Sequence, residues 1–178
     1  MTPVEISELL KSKFQSAILA TVEFGGQVSV TINKAKLLDI MKFLKNSPEL
    51  NFDYLVDLCG VDYLGRKNDR FEVVYNLRSM NHNHFIRVKA VVPENDSTIS
   101  SVVDIWAGAN WHERECFDMF GISFMGHPDL RRVLMPEDWE GYPLRKDYPL
   151  KSDLGEHEWK GYKEVVETAE RNKQYEVR

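Results

Sequence analysis

The fold is decided by residues 52–92, which contain three strand-like runs, FDYLVDLCGVDY (52–63), RFEVVYNL (70–77) and HFIRVKAVV (84–92). Each run is rich in β-branched and aromatic residues, and such residues favour a pleated, half-buried strand. Gly65 and the polar residues after it form a turn between the first two runs, and residues 79–81 form a second turn. The pattern predicts three consecutive strands joined by short connections.

The residues before this stretch predict two helices that flank a β-hairpin. Residues 2–5, TPVE, have the form of a helix start with a capping box. The glycine pair 25–26 tolerates positive φ and fits a two-residue turn between strands at 17–24 and 27–32. Asn33 can cap the second helix. The apolar stripe of that helix consists of Leu37, Ile40, Met41 and Leu44.

Two short helices are predicted after the third strand. The run NWHE at 110–113 offers a capping box for a helix that ends near residue 120. The order α-β-β-α-β-β-β, followed by short helices, predicts an α+β fold in residues 1–120. This would be a two-layer domain with helices on one face of a mixed five-stranded sheet. The other short helix would be capped by Ser97 and would place on one face Ile99, Val102, Val103 and Trp106.

Residues 121–178 predict an extended, irregular C-terminal segment. Four of the 7 prolines fall within 128–149, where they interrupt any helix or central strand. The same stretch holds too many apolar side chains to stay in water. Because a long irregular stretch in a compact domain is usually functional, we expect it to wrap over its own domain or a partner subunit. The end of the segment predicts a terminal helix around Tyr162, Val165 and Val166.

The composition excludes several classes of protein. The chain has 178 residues and 2 cysteines, too few for a disulfide scaffold or for a four-cysteine iron–sulfur cluster held by this chain alone. Cys59 lies in an apolar strand and is expected to be inert core. The net charge of −5 argues against a nucleic-acid binder. No apolar run approaches the length of a spanning helix, and residues 1–14 resemble neither a signal nor a transit peptide. We expect a mature, cytosolic-facing chain.

The helix HERECFD at 112–118 contains the side chains that could carry chemistry. His112 and Cys116 share a helix face and could ligate a metal, and the carboxylates could serve acid–base chemistry. No paired cysteines, nucleophile elbow, phosphate loop or dinucleotide fingerprint accompanies them. We therefore interpret these charges as capping and pairing on a surface or at a subunit contact. The alternative is a free-standing metal- or carboxylate-dependent enzyme that uses His112, Glu115, Cys116 and Asp118.

Two long motifs resemble one known family. Residues 110–124 read NWHERECFDMFGISF, and residues 126–150 read GHPDLRRVLMPEDWEGYPLRKDYPL. Both strongly resemble the C subunit of the proton-pumping NADH:quinone oxidoreductase, which is respiratory complex I or NDH-1. Residues 55–62, LVDLCGVD, are also similar to this family. The predicted element order agrees with the two-layer α+β fold that the family has.

The resemblance implies a non-redox structural and assembly subunit. Complex I carries electrons from NADH through FMN and iron–sulfur centres to quinone and couples this transfer to proton translocation. The C subunit lies in the peripheral arm beside the D subunit, on the cytoplasmic side of the membrane, and holds no catalytic residue, cofactor or metal of its own. FMN, the iron–sulfur clusters and quinone are then expected in partner subunits. A sister complex that uses ferredoxin, reduced deazaflavin or hydrogen chemistry would contain an equivalent subunit and is an alternative.

The resemblance also places a partner contact in residues 127–150. We expect its basic side chains to pair with acidic groups and its aromatic side chains to be buried anchors. Some of them could instead anchor the segment to its own domain. The candidate interface residues are His127, Arg131, Arg132, Trp139, Tyr142, Arg145, Lys146 and Tyr148.

Overall fold

The computed structural model of this chain describes residues 1–149 and residues 167, 168, 170 and 171. The predicted terminal helix around Tyr162, Val165 and Val166 lies outside the described residues. Within the described ranges, no helix has the length and apolarity needed to cross a membrane. The helices are α1 (Pro3–Phe14), α2 (Leu37–Asn46) and α3 (Ala109–Phe120). The strands are β1 (Ile18–Phe24), β2 (Gln27–Asn33), β3 (Tyr54–Asp62), β4 (Phe71–Arg78), β5 (Phe85–Val92), β6 (Thr98–Ser100) and β7 (Ser123–Met125).

Five strands form one mixed sheet in the order β1-β2-β5-β4-β3. Neighbouring strands are antiparallel, except that β2 and β5 are parallel. The turn between β1 and β2 has φ angles of 57° at Gly25 and 74° at Gly26, the left-handed values that a two-residue hairpin turn requires. The predicted hairpin is therefore confirmed. β6 and β7 form a separate two-stranded parallel sheet.

The core lies between the sheet and the helices on one of its faces. Along β5, buried side chains alternate with half-exposed ones such as Arg87 and Lys89, because one face of the strand meets the core and the other does not. Burying a Val or Ile side chain, such as those of Val88 and Ile86, stabilises the fold by about 1.5–3 kcal/mol. The predicted two-layer α+β fold is confirmed. The side chains that fill the core include Ile6 and Leu10 of α1, Ile40 and Leu44 of α2, and Ile86, Val88 and Val92 of β5.

The two N-terminal helices begin differently. The predicted capping box of α1 is confirmed, because Thr2 Oγ1 accepts the N–H of Glu5 at 3.2 Å and the Glu5 carboxylate accepts the N–H of Thr2 at 2.7 Å. The predicted role of Asn33 as the cap of α2 is wrong. Asn33 Oδ1 instead accepts the N–H of Ala35 at 2.9 Å and caps the 3-10 turn Lys34–Lys36, so that α2 starts one turn later.

The prediction of a helix capped by Ser97 is wrong. Residues Thr98–Ser100 form β6, which pairs with β7, and Ile99 is buried in the core. The apolar residues at helical spacing are buried here as well, but they belong to a short strand and the turns after it instead of a helix. The predicted capping box at residues 110–113 is also wrong, because α3 starts earlier and its N-cap residue, Gly108, makes no side-chain cap bond.

The two cysteines have opposite environments. The prediction that Cys59 is core is wrong, since Cys59 is exposed whereas Cys116 of α3 is buried. A bulge between Leu55 and Asp57 lets Leu55 and Leu58, three residues apart, both point into the core. The regular alternation that follows Leu58 turns Cys59 to the opposite face of the sheet.

α3 packs against β3, at the opposite end of the sheet from β1. Gly60 permits this close approach, because a Cβ atom at that position would lie 2.6 Å from the ring of Phe120. The division of the chain at residue 120 stays a prediction. The packing of α3 on β3 fixes the position of α3, and the side chains of α3 in turn hold the segment that follows it.

Candidate functional site

α3 presents Arg114 and Asp118 to the segment that follows it. The two side chains are four residues apart and therefore share one helix face. Both are buried, with exposed fractions of 8% and 0%, so the expectation that the charges of this helix lie on a surface or at a subunit contact is wrong for them. The physical reason is that residues 126–149, which we call the strap, bond to this face of α3.

The Asp118 carboxylate binds the backbone of the strap. Oδ2 accepts three consecutive N–H groups, and Oδ1 accepts the guanidinium of Arg132. Burial alone would raise the pKa of Asp118, but these hydrogen bonds outweigh burial and lower its pKa below the ordinary value. An ionised carboxylate therefore orders the strap. Its four donors are Arg132 (2.7 Å), Val133 (3.0 Å), Leu134 (2.7 Å) and Met135 (2.9 Å).

Arg114 binds the carbonyl groups that come just before these amides. Its guanidinium donates to the carbonyl oxygens of Arg131 and Arg132, both at 3.1 Å. Arg114 thus binds the carbonyl groups of residues 131 and 132, and Asp118 binds the N–H groups of residues 133–135. Together they bind five consecutive residues of the strap. An irregular segment lacks the internal backbone pairing of a helix or sheet, so buried backbone groups need partners of this kind. We call Arg114 and Asp118 the clamp.

Arg132 folds the strap back on itself. Besides Asp118, its guanidinium donates to the carbonyl oxygens of Trp139 at 2.9 Å and Gly141 at 3.1 Å. Its guanidinium carbon also lies 5.5 Å from the ring centroid of Tyr142. One side chain therefore ties the middle of the strap to the residues that the clamp orders.

Arg70, a buried residue just before β4, holds the far end of the strap. Its guanidinium donates to Asp62 at 2.9 and 3.1 Å, to Glu94 at 2.6 Å, and to Asp147 of the strap at 2.6 Å. The bonds to Asp62 and Asp147 raise the pKa of Arg70. Burial would raise the pKa of Asp62, but the bonds from Arg70 and from the N–H of Lys146 (2.8 Å) lower it. Sheet and strap therefore share one ion cluster, in which Arg70 and Asp62 are buried while Glu94 and Asp147 are exposed.

Arg145 joins the strap to the end of α3. Its Nε donates to the carbonyl oxygen of Phe120 at 2.6 Å, and its guanidinium carbon lies 4.4 Å from the ring centroid of Tyr142 and 5.2 Å from that of Phe71. Gly121 ends α3 with a φ of 71°. A Cβ atom there would lie 2.6 Å from both Arg145 and Tyr142, so this junction requires glycine.

The outer side of the strap differs from its inner side. Leu134 and Leu144 are 62% and 51% exposed. Exposed Arg131 pairs with exposed Asp129 at 3.0 Å, an arrangement that contributes little to stability. Trp111 of α3 is also exposed, and its ring centroid lies 4.7 Å from the guanidinium carbon of buried Arg114. The strap is thus bonded inward through its backbone and shows large side chains outward.

A family model described as "Respiratory-chain NADH dehydrogenase, 30 Kd subunit" matches residues 30–154. This range covers more than half of the chain and includes α3 and the whole strap. The chain belongs to this family. The resemblance of residues 110–124 and 126–150 to the C subunit of complex I is thereby confirmed.

Relatives of this chain have similar lengths. The C subunit of NADH-quinone oxidoreductase from Roseiflexus sp. (strain RS-1) is 52% identical over 145 residues, which cover 82% of this chain and 83% of the relative. The protein of the same name from Geobacter sulfurreducens is 50% identical over 141 residues, which cover 79% of this chain and 86% of the relative. The chain is therefore a subunit of an NADH-quinone oxidoreductase, the respiratory complex I type of enzyme.

Two solved structures are also similar to this family member. The trypsin-resistant fragment (1–134) of Nqo5 is 33% identical with a TM-score of 0.60, and the match covers 70% of this chain and 98% of the fragment. A chain of the membrane-bound sulfane sulfur reductase, an archaeal respiratory membrane complex, is 23% identical with a TM-score of 0.68. That match covers 98% of this chain and 91% of the other, and it shows a shared fold only.

The candidate interface residues of this chain lie on the strap, and most of them make contacts inside the chain. Arg132 and Arg145 bond to α3, and the backbone of Lys146 bonds to β3, while the side chain of Lys146 is exposed. Trp139 is half-buried. The assignment of these residues to a partner interface stays a prediction. The remaining internal bonds join His127 Nε2 to the Asn110 carbonyl (3.1 Å), Arg131 to Asp129, and the Tyr148 hydroxyl to the Glu140 carbonyl (3.4 Å).

Sequence reasoning did not identify the residues that hold the strap. Arg114 and Asp118 stand within the motif that carries the family resemblance, and their spacing of four could have indicated a common face. Arg70 and Asp62 gave no such signal, because the turn between β3 and β4 brings them together. Asp147 lies far away in the sequence and reaches Arg70 only through the path of the strap.

The residues of the free-standing-enzyme alternative do not form one site. His112 Nδ1 lies 3.6 Å from Asp57 Oδ1, Glu115 is exposed, and Cys116 is buried. Both carboxylate oxygens of Asp118 are occupied by the strap. Among the residues that the structure describes, no group of three or more His, Cys, Asp or Glu side chains is placed to hold a metal ion.

Proposed function

We propose that this chain is a non-redox structural and assembly subunit of the peripheral arm of NADH:quinone oxidoreductase. In this proposal, FMN, the iron–sulfur centres and the quinone are bound by partner subunits, and electron transfer from NADH to quinone drives proton translocation. The names and the ~50% identity of the relatives support this role. The arm would lie on the cytoplasmic side of the membrane, attached through the complex.

The proposal rests on one observation: the polar residues of the family motif at 110–124 bind the chain's own backbone. Arg114 and Asp118 direct their polar atoms to the strap backbone, and Asp118 has four donors on its two oxygens. A side chain that is buried and saturated in this way organises structure and is not available to a substrate. The motif therefore serves to fix the strap in one conformation.

The outer side of the strap supports a contact with a partner, which we propose is the D subunit. Leu134 and Leu144 expose large apolar side chains, and the side chain of Arg131, three residues before Leu134, is also exposed. Exposed apolar groups among charged ones are typical of protein–protein interfaces. Because the clamp has already ordered the backbone, binding would cost less conformational entropy.

The test uses a tagged chain expressed in cells that contain the complete complex. The double substitution Leu134→Ser and Leu144→Ser should leave the melting temperature of the isolated chain within a few degrees of wild type, because both side chains are exposed. The D subunit should no longer co-purify with the tag. The matched control is Met80→Ser, which changes an equally exposed side chain in the turn between β4 and β5. Full recovery of the D subunit with the double variant would contradict the proposed contact.

The sister-complex alternative is tested at the level of the whole assembly. The fold that this chain shares with the archaeal sulfane sulfur reductase chain does not distinguish the electron donors. Purified complex that reduces quinone with NADH supports the proposal. Activity with reduced ferredoxin or deazaflavin and none with NADH would favour the sister complex.

A further inference from the structure

β1 is an exposed edge of the five-stranded sheet. It is the first strand in the order β1-β2-β5-β4-β3, and within the described residues it pairs only with β2. Several large apolar side chains of β1 are exposed to solvent. Val22 is 57% and Phe24 is 85% exposed, and Leu19 is exposed as well. The opposite edge of the sheet differs, because α3 packs against β3.

The hairpin geometry identifies which backbone groups of β1 point away from the sheet. In a two-residue hairpin the residues that flank the turn, here Phe24 and Gln27, form a hydrogen-bonded pair. Such pairs alternate along antiparallel strands, so Val22 also bonds to β2. Thr21 and Glu23 occupy the other positions and direct their N–H and carbonyl groups outward. Within residues 1–149, no backbone bond outside the sheet ladder involves either of them.

β1 has few of the features that usually protect a sheet edge. Natural edge strands carry Lys, Pro or inward charges, or are covered by another element, because a free edge pairs with other chains. β1 reads ILATVEF and contains no Lys or Pro. Its single charged residue is Glu23, near the turn. The one irregularity is a bulge between Ile18 and Ala20, which leaves the rest of the strand regular.

We propose that the outer edge of β1 binds an extended segment of a neighbouring subunit, which adds a sixth strand to the sheet. The backbone of Thr21 and Glu23 would supply the hydrogen bonds, as in other cases of strand addition. Apolar side chains at alternate positions of the segment would contact Val22 and Phe24, and a basic side chain would face Glu23. The proposal rests on the proposed function, since it requires neighbouring subunits.

Charge favours a different polypeptide over a second copy of this chain. The chain carries a net charge of −5, so two copies repel each other. The β1 strand of a second copy would also bring a Glu and no basic residue to the edge. A neighbouring subunit with a basic, apolar segment meets the requirements of this edge, whereas a second copy does not.

Amide hydrogen exchange tests the proposal on the intact complex. The amides of Thr21 and Glu23 should exchange at least about tenfold more slowly in the complex than in the isolated chain, because they become hydrogen-bonded. The amide of Val22 is already bonded to β2, serves as the internal control, and should be protected in both samples. Unchanged exchange at Thr21 and Glu23 in a complex that retains this subunit would overturn the proposal and leave the proposed function intact.

Proline substitution gives a second, independent measurement. Thr21→Pro removes an outward N–H, and such a position tolerates proline because no ladder bond is lost. The variant should keep the melting temperature and lose at least about tenfold in recovery with the complex. The matched control Thr21→Val keeps the N–H and removes a hydroxyl that lacks a partner in the described structure, so it should assemble like wild type. Glu23→Pro repeats the test at an exposed side chain if Thr21→Pro does not fold.

The remaining outcomes are also decisive. Normal recovery of folded Thr21→Pro and Glu23→Pro would overturn the proposal. Protection of the same amides in the isolated chain, together with a doubled mass in solution, would show a second copy on this edge and would also overturn it. If the wild-type chain recovers no other subunit of the complex, the proposed function fails and this proposal fails with it.

Discussion

Replacing Asp118 with Asn should release the strap from α3 without unfolding the domain. The carboxylate accepts four hydrogen bonds on two oxygens, whereas an amide offers one oxygen and turns its NH₂ group toward N–H donors. Breaking a buried ion pair costs about 3–5 kcal/mol, and each bond to a charged group accounts for about 1.5–3 kcal/mol. A loss of about 3 kcal/mol or more raises the undocked fraction by more than about 100-fold.

The assay is hydrogen exchange at the amides of Val133, Leu134 and Met135, together with trypsin cleavage after Arg131. Both should accelerate by more than about 100-fold in Asp118→Asn, while protection in β4 and β5 stays at the wild-type level. The control is Asp129→Asn, which changes an exposed carboxylate of the strap and should have little effect. Wild-type exchange in Asp118→Asn would refute the reasoning that the clamp holds the strap.

The same carboxylate predicts a pH dependence. Because the folded-state pKa of Asp118 is lowered, its contribution is complete above the unfolded-state pKa, which is about 4, and disappears as the pH falls through the folded-state value. The strap of the wild-type protein should therefore undock at acidic pH. In Asp118→Asn this dependence should be weaker, as amide exchange rates measured between about pH 3 and pH 6 and corrected for intrinsic exchange would reveal.

Three further predictions concern the domain. Burial raises the pKa of Glu113 to about 7, above its unfolded-state value, so the protonated form of Glu113 contributes stability at low pH. The free energy of unfolding should therefore fall by about 3 kcal/mol as the pH rises from about 4.5 to 7. Glu113→Gln should make this pH dependence weaker, as measured by thermal melts. Arg70→Met should leave the buried carboxylate of Asp62 without its cation and cost about 3–5 kcal/mol in denaturant unfolding; a loss below about 1 kcal/mol would contradict a buried Arg70–Asp62 ion pair. Gly60→Ala should cost about 1–3 kcal/mol, since the added Cβ lies 2.6 Å from the ring of Phe120; an unchanged melting temperature would mean that α3 shifts without penalty.

Local signals in the sequence predicted the parts of the fold that local physics controls. The capping box at the start of α1 and the glycine turn between β1 and β2 act within a few residues, and both are confirmed. The runs at 52–63, 70–77 and 84–92 became β3, β4 and β5 with only small shifts of their ends. Alternation and turn chemistry were sufficient for these elements.

The errors arose where partners distant in the sequence decide the structure. The apolar spacing after Ser97 satisfies a helix, but pairing with β7 makes the segment a strand. Cys59 lies in an apolar run, yet alternation along β3 turns it outward. Burial of Asp118 likewise could not be inferred from a charged helix, because the strap that covers it comes later in the chain.

The sequence by itself determined the order of the elements from α1 to β5, the family, and a cysteine count of 2, which is too small for a four-cysteine cluster held by this chain. These depend on residue identity and spacing along the chain. Only the tertiary structure decided what the motif residues do. Arg114 and Asp118 bind the backbone of the strap, and Arg70 joins the sheet to Asp147 at 2.6 Å. The physical reason is that hydrogen bonds and ion pairs depend on distances of a few ångströms, which the packing of α3 on β3 and the path of the strap create.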